Sequence, residues 1–334
     1  MSINLDLILD HPPPLDPAWL AHETAAGLLT QPQVTLTPKQ RQQGYSQRCK
    51  DLNKLLLSGQ ESHLQNGIDI KDTFIPSSKV DHQIGIRSYT PSSSLKSQEG
   101  TATPTVIYYH GGGLYVGDLD SEDLACRRIC LAQSCTVYSI DYRLMPEFTA
   151  DDALSDALEG FRHVTALHTG GLILAGSSSG GQLAAQISQV VIGEDRKRII
   201  GVLLRGPVLC DATSGGTNIP TKFKEYHKSM SPEYHTSLLA APALNKDNRT
   251  KEKLPLEVEN LSGLPRHWVQ VCTNDVYYSD GVCYAEALRL QGVEVKLDVV
   301  VGYPHTFWLK APFLERAMKA ESDMIEGIKW LVGF

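Results

Sequence analysis

Leu172-Ile173-Leu174-Ala175, running into Gly176-Ser177-Ser178-Ser179-Gly180, decides how the rest of this chain is read. The first four residues form an apolar run bounded by glycines, and a helical pattern begins at Ser179. Between them stands G-x-S-x-G, which at a strand-to-helix junction is a turn so tight that neighbouring Cβ atoms would collide. Such a turn leaves Ser178 exposed at the start of a helix, whose N-terminus favours negative charge. Taken alone the five residues say little, because Gly and Ser are common in loops. The strand before and the helix after make them a nucleophile elbow.

On either side of the elbow the chain alternates between two periodicities. β-Branched and aromatic runs predict strands at His82–Tyr89, Thr105–Tyr109, Thr136–Asp141, Leu172–Ala175, Ile199–Arg205, Trp268–Cys272 and Val293–Val301. Helices are expected at 120–133, 148–167, 179–192, 280–291 and 312–332. Alternation of this kind builds an α/β fold, with a mainly parallel central sheet covered by helices on both faces. Ligands then bind beyond the carboxyl ends of the strands. Residues 71–334 are the expected catalytic domain. Two regions break the alternation: residues 1–70, with Pro12-Pro13-Pro14 and a Gln-rich helix near 38–58, and residues 209–262, too long for a plain connection. Both are read as parts of a helical cap, the first as an N-terminal segment and the second as an insertion in the catalytic domain.

A second signal is His110-Gly111-Gly112-Gly113, directly after the strand Thr105–Tyr109. Acyl transfer builds negative charge on the attacked carbonyl oxygen, and backbone N–H groups must already point at it. Consecutive glycines let the chain approach a substrate without side chains in the way. The expected oxyanion donors are the amides of Gly112, Gly113 and Ser179, with His110 in a supporting place.

A serine nucleophile needs a base, and the base needs an orienting acid. With an elbow of this type the chain order is serine, acid, histidine. Asp275 lies just past the strand Trp268–Cys272, at the carboxyl edge. His227, His235, His267 and His305 follow Ser178, but only His305 lies beyond Asp275, reached from the last strand through Gly302-Tyr303-Pro304. Asp280 is the rival acid and reads better as a first-turn or capping residue. The other three histidines are read as surface residues. Trp19, Tyr115, Phe307 and Trp308 are candidates to line an apolar substrate pocket, and each is equally acceptable as core.

Composition narrows the classes. The chain has 334 residues, 42% hydrophobic and 21% charged, with a net charge of −7. That charge disfavours nucleic acid or an anionic membrane as partner. The N-terminus has no signal-peptide pattern, and no window approaches a bilayer span, so stable membrane insertion is not expected. Seven cysteines without an export signal suggest reduced thiols in a cytoplasmic protein. Cys126, Cys130 and Cys135 are close in sequence but lack a C-x-x-C pair, and core packing is expected of them. With no ligand cluster, P-loop or dinucleotide fingerprint, no metal or cofactor is implied. The oligomeric state stays open, a homodimer included.

Five ordered motifs together resemble the hormone-sensitive-lipase family of α/β hydrolases, with its arylacetamide deacetylase-like and plant carboxylesterase members. They are His110–Gly113, Asp141-Tyr142-Arg143-Leu144-Met145-Pro146-Glu147, the elbow, Asp275–Gly281 and His305-Thr306-Phe307. The resemblance runs from about residue 80 to the C-terminus. It implies the α/β-hydrolase fold, a Ser178/Asp275/His305 triad, a structural role for the D-Y-R-x-x-P-E-like segment, and cleavage of a small or medium ester through an acyl-enzyme. The sequence departs from the family's G-D-S-A-G-G at Ser177 and Ser179. The missing Asp implies that a buried charge beside the elbow is lost, and suggests a specialised substrate, as in secondary metabolism. A lactonase or amide deacetylase would share every feature. A cyclase or dehydratase using the oxyanion hole alone is the alternative enzyme. A small-molecule receptor is the non-enzymatic alternative, but the receptors that resemble this family lack the histidine that His305 supplies.

Overall fold

The strands that lead into the expected serine and acid are buried along almost their whole length, because helices cover both faces of the sheet. The computed structural model describes residues 3–28, 35–92, 103–211, 217–235 and 252–333. Two helices come first, α1 (Pro17–Ala25) and α2 (Pro38–Leu57), then the strands β1 (Ile68–Pro76), β2 (Gln83–Pro91) and β3 (Thr105–Tyr109). Next come α3 (Asp123–Gln133), β4 (Val137–Asp141), α4 (Ala150–Leu167), β5 (Leu172–Ser177), α5 (Ser179–Val190) and α6 (Gly193–Arg198). The chain closes with β6 (Ile199–Arg205), β7 (Arg266–Asn274), α7 (Tyr278–Leu290), β8 (Val295–Pro304), α8 (Phe307–Lys310) and α9 (Glu315–Val332).

The strands form one 8-stranded sheet in the order β1-β2-β4-β3-β5-β6-β7-β8. β1 and β2 are antiparallel, β2 meets β4 antiparallel, and the remaining pairs are parallel. Alternate residues of β3 separate the two core layers. Ile107 and Tyr109 pack with α4 and α5, through Phe161, Leu183 and Ile187. Val106 and Tyr108 pack with α3 and α9, through Cys126, Ile129, Met324 and Ile328. Cys126, Cys130 and Cys135 are therefore core residues, as their spacing suggested. α4 begins with a reciprocal capping box between Thr149 and Asp152, which fixes its start and the side it buries.

Two boundaries differ from expectation. β1 was not predicted, and it begins ahead of the domain boundary placed at 71. Its Asp69, Lys71 and Asp72 leave it mostly exposed, and charge is a common guard of an edge strand. β8 continues through Gly302-Tyr303-Pro304, so the predicted loop is the end of the strand and His305 follows it directly. Of the expected cap, residues 29–34, 212–216 and 236–251 lie outside the described residues. No described helix is long and apolar enough to cross a membrane.

Candidate active site

The site starts from a backbone that only a tight turn could impose. Ser178 has φ 53° and ψ −121°, outside the regions open to most residues, so its conformation is strained. The surroundings fix it: its N–H donates to Arg205 O at 2.8 Å, and its C=O accepts from Gln182 N at 3.1 Å. The flanking glycines are obligatory. A Cβ on Gly176 would sit 2.4 Å from the Gly180 carbonyl, and one on Gly180 would sit 2.0 Å from Tyr109 O.

The ends of β5, β7 and β8 bring three side chains into line. Ser178 Oγ lies 2.8 Å from His305 Nε2, and His305 Nδ1 lies 2.7 Å from Asp275 Oδ2. Asp275 Oδ1 accepts from Tyr277 N at 2.9 Å, which orients the carboxylate. The carboxylate fixes the tautomer: Nδ1 carries the proton and Nε2 is left to accept from the serine hydroxyl. Ser178, Asp275 and His305 are 6%, 2% and 6% exposed, so the hydrogen bonds compete with little water. Tyr277 packs edge-on against His305, ring centres 5.2 Å apart.

The glycine loop after β3 faces the elbow. Gly112 and Gly113 have φ of 132° and 65°, and neither amide finds an acceptor among the described residues. Ser179 opens α5, where first-turn amides have no partner within the helix. Side chains lock the loop in place. Leu114 N–H donates to Ser179 Oγ at 3.2 Å, and Tyr142 OH donates to His110 O at 2.6 Å. His110 stacks on Tyr142 at 4.2 Å, and burial lowers its pKa, so it stays neutral. Arg143, from the same segment as Tyr142, makes two hydrogen bonds of 2.7 Å to buried Asp156 on α4. The loop has no slack at Gly112, where a Cβ would stand 1.9 Å from Val116 O. Gly112→Ala should therefore lower kcat by about 10²–10³, the cost of losing an oxyanion donor. KM should change little, and steady-state kinetics on one short-chain ester checks both.

The expectation that the elbow loses its buried charge is corrected here. Glu122, just ahead of α3, places its carboxylate where the missing Asp would have mattered. Ser177 Oγ donates to Glu122 Oε2 at 2.6 Å, Tyr108 OH donates to the same oxygen, and Gly111 N–H donates to Oε1 at 2.9 Å. One carboxylate thus joins the elbow to the oxyanion loop. Burial raises its pKa from the ordinary 4.5, with the Ser177, Tyr108 and Gly111 donors and Arg205 opposing. A raised folded pKa means that Glu122 stabilises the fold most at low pH, below about 4.5, and that this contribution is lost as pH climbs through the folded value. Glu122→Gln, which does not titrate, should remove that part of the pH slope in urea unfolding. Glu122→Leu should cost about 1–3 kcal/mol at any pH, since three buried donors lose their acceptor. The sequence held one hint of Glu122, the Ser at 177, but nothing to connect the two positions.

Other candidates fall elsewhere. Asp280 stands in the first turn of α7, as expected, but its carboxylate caps no helix: its Oδ2 accepts from Leu209 N and Cys210 N at 2.8 and 3.0 Å, and its Oδ1 lies 2.7 Å from His227 Nε2. His227 and His267 are buried, which corrects their reading as surface residues. Burial pushes His267 down to about 4. The side chain of His235 lies outside the described residues. Trp19, Phe307 and Trp308 share one buried cluster with Cys272, Val300 and Tyr303. Tyr115 is partly buried beside the glycine loop and packs against the main core.

Residues 106–309 match the family model described as alpha/beta hydrolase fold. The chain is 32% identical over 256 residues to the carboxylic ester hydrolase LipN of Mycobacterium tuberculosis, a match covering 72% of this chain and 64% of LipN. It thus spans less than two thirds of that relative. An esterase of Pyrobaculum calidifontis superposes with TM-score 0.71 at 25% identity, over 96% of this chain and 99% of that one. Vibralactone cyclase superposes with TM-score 0.79 at 24% identity, over 99% and 98%, a likeness of fold alone.

Proposed function

We propose, since the chain belongs to the α/β-hydrolase fold family in its hormone-sensitive-lipase branch, that it is a serine hydrolase cleaving a carboxylic ester. The observation that carries the reading is the continuous Ser178–His305–Asp275 line, with bonds of 2.8 and 2.7 Å. His305 Nε2 takes the hydroxyl proton as Ser178 Oγ attacks the ester carbonyl. Asp275 holds the imidazole in place and stabilises the imidazolium that forms. The carbonyl oxygen becomes an oxyanion, received by the amides of Gly112, Gly113 and Ser179. Collapse of the tetrahedral intermediate expels the alcohol, which takes its proton from His305. Water, activated by the same base, then frees the acid from Ser178.

The N-terminal segment acts as part of a lid over this centre. Its support is a series of contacts at the carboxyl edge of the sheet. Asn274 Nδ2 donates to Pro13 O at 2.7 Å, Asp16 N donates to Gly302 O at 2.8 Å, and Gln42 Nε2 donates to Tyr115 O at 3.1 Å. The described part of the insertion meets this segment, Tyr234 OH donating to Leu9 O at 2.8 Å. The test is turnover of p-nitrophenyl esters of rising chain length, together with mass detection of a covalent organophosphate adduct. Turnover with the adduct on Ser178 supports the reading. An inert protein that takes up no organophosphate defeats it.

A further inference from the structure

Ser178 is flanked by two further hydroxyls, those of Ser177 and Ser179, both fully buried. Neither hydroxyl has a part in the chemistry above. Each is tied to the glycine loop, and the two ties fall on opposite sides of its oxyanion amides. On the upstream side Ser177 Oγ donates to Glu122 Oε2 at 2.6 Å, while Gly111 N–H donates to Oε1 of the same carboxylate at 2.9 Å. On the downstream side Ser179 Oγ accepts directly from Leu114 N–H at 3.2 Å. Gly112 and Gly113 are all that lies between the two ties.

The upstream tie has an anchor of its own. Glu122 O accepts from Cys126 N at 3.1 Å as α3 begins. The next residue, Asp123, accepts from Tyr89 OH at 2.8 Å and from Arg127 Nε at 2.6 Å. Neither the elbow nor the glycine loop therefore sets where the carboxylate stands. The tie also lies at the nucleophile itself, since a Cβ on Gly111 would be 3.1 Å from Ser177 O and 3.4 Å from Ser178 Cβ. The downstream tie holds a strained residue. Leu114 has φ 64°, which residues other than glycine rarely adopt and keep only where their surroundings impose it. Three consecutive glycines would otherwise be the loosest backbone in the chain. Donors that drift by about 1 Å lose much of their effect on a transition state.

We propose that Glu122, Ser177 and Ser179 are positioning residues for the reaction, two clamps that fix the amides of Gly112 and Gly113 relative to Ser178 Oγ. The inference rests on the serine-hydrolase reading and adds to it three side chains that act through the backbone rather than on the substrate.

Kinetics on one p-nitrophenyl ester test it, at a temperature where melting curves show each variant folded. Glu122→Leu should lower kcat by about ten- to a hundredfold, the scale of a misplaced donor, with KM within about threefold of wild type. Affinity for 1,1,1-trifluoro-4-phenylbutan-2-one should fall in step with kcat, because its hemiketal with Ser178 puts an oxyanion among these amides. Glu122→Gln should recover most of the loss: its oxygen can keep Gly111 N–H, and its NH₂ can donate to the hydroxyl oxygens of Ser177 and Tyr108. Ser177→Ala should cost about tenfold alone but little on top of Glu122→Leu, since both break one clamp, whereas Ser179→Ala should add its own loss in either background. A wild-type kcat in folded Glu122→Leu overturns the inference while leaving the hydrolase intact, as do independent losses from Glu122→Leu and Ser177→Ala. Should Glu122→Leu fail to fold, an unchanged kcat in Ser177→Ala has the same force. Should wild type be inert toward esters, the hydrolase reading fails separately, and amide hydrogen exchange decides the clamps. Exchange in a peptide spanning 110–115 should then rise about tenfold in Ser177→Ala and Ser179→Ala while a peptide from α9 stays as in wild type. Equal exchange in all three proteins ends the proposal.

Discussion

Ser178→Ala lowers kcat by a factor of the order of 10⁶, with the fold unchanged: that is the expected result of the most decisive substitution in this chain. The reason is the narrowness of what is removed. Alanine keeps the Cβ and so inherits the same strain at φ 53°. The N–H bond to Arg205 O and the carbonyl bond from Gln182 N belong to the backbone and remain. Only Oγ is lost, with its contact to His305 Nε2. Thermal unfolding should therefore shift by no more than a degree or two, on the order of the few tenths of a kcal/mol expected where one hydroxyl goes. A residual rate of about 10³–10⁴ over water should survive, because the oxyanion amides still polarise a bound carbonyl. The measurement is kcat on a p-nitrophenyl ester beside a melting curve. A variant retaining a tenth of the activity would remove Ser178 from the chemistry.

Ser178, Asp275 and His305 were legible for a topological reason. Each lies just past the carboxyl end of a strand, and apolar runs mark strand ends well. Chain order then left one histidine of the four after the serine. Glu122 was not legible. It precedes Ser177 by 55 positions, and only the entry of α3 beside the end of β5 brings them together. β1 escaped because it is an edge strand: Ile68, Ile70, Phe74 and Ile75 are interleaved with Asp69, Lys71 and Asp72, a mixture that does not stand out as a buried run. The burial of His227 depends on Asp280 reaching back from α7 to the chain after β6. No local pattern announces a contact between segments so far apart. The expected cap was read only from an interruption of the alternation, and an interruption carries no periodicity from which a shape could be drawn.

The same contacts decide which aspartate serves the base, and the two give opposite outcomes when neutralised. In Asp275→Asn, Tyr277 N–H still needs an acceptor, so the amide oxygen should keep the place of Oδ1, 2.9 Å from that nitrogen. The amide nitrogen is then turned toward His305 Nδ1, now 2.7 Å from Oδ2. An NH₂ group can only donate, so Nδ1 must become the acceptor and the ring proton moves to Nε2. A protonated Nε2 cannot take the proton from Ser178, and kcat should fall by about 10⁴ with little change in melting temperature. In Asp280→Asn the base is untouched. What suffers is the carboxylate that accepts from Leu209 N and Cys210 N and meets His227 Nε2. That change should cost about 1–3 kcal/mol of stability, because an amide cannot accept from all three of these buried partners. Its kcat should stay within about tenfold of wild type, the loss being of stability rather than of transition-state binding. If Asp280→Asn proved the catalytically silent variant and Asp275→Asn the active one, the base would have to be oriented from α7. The hydrogen bonds around His305 leave no route for that.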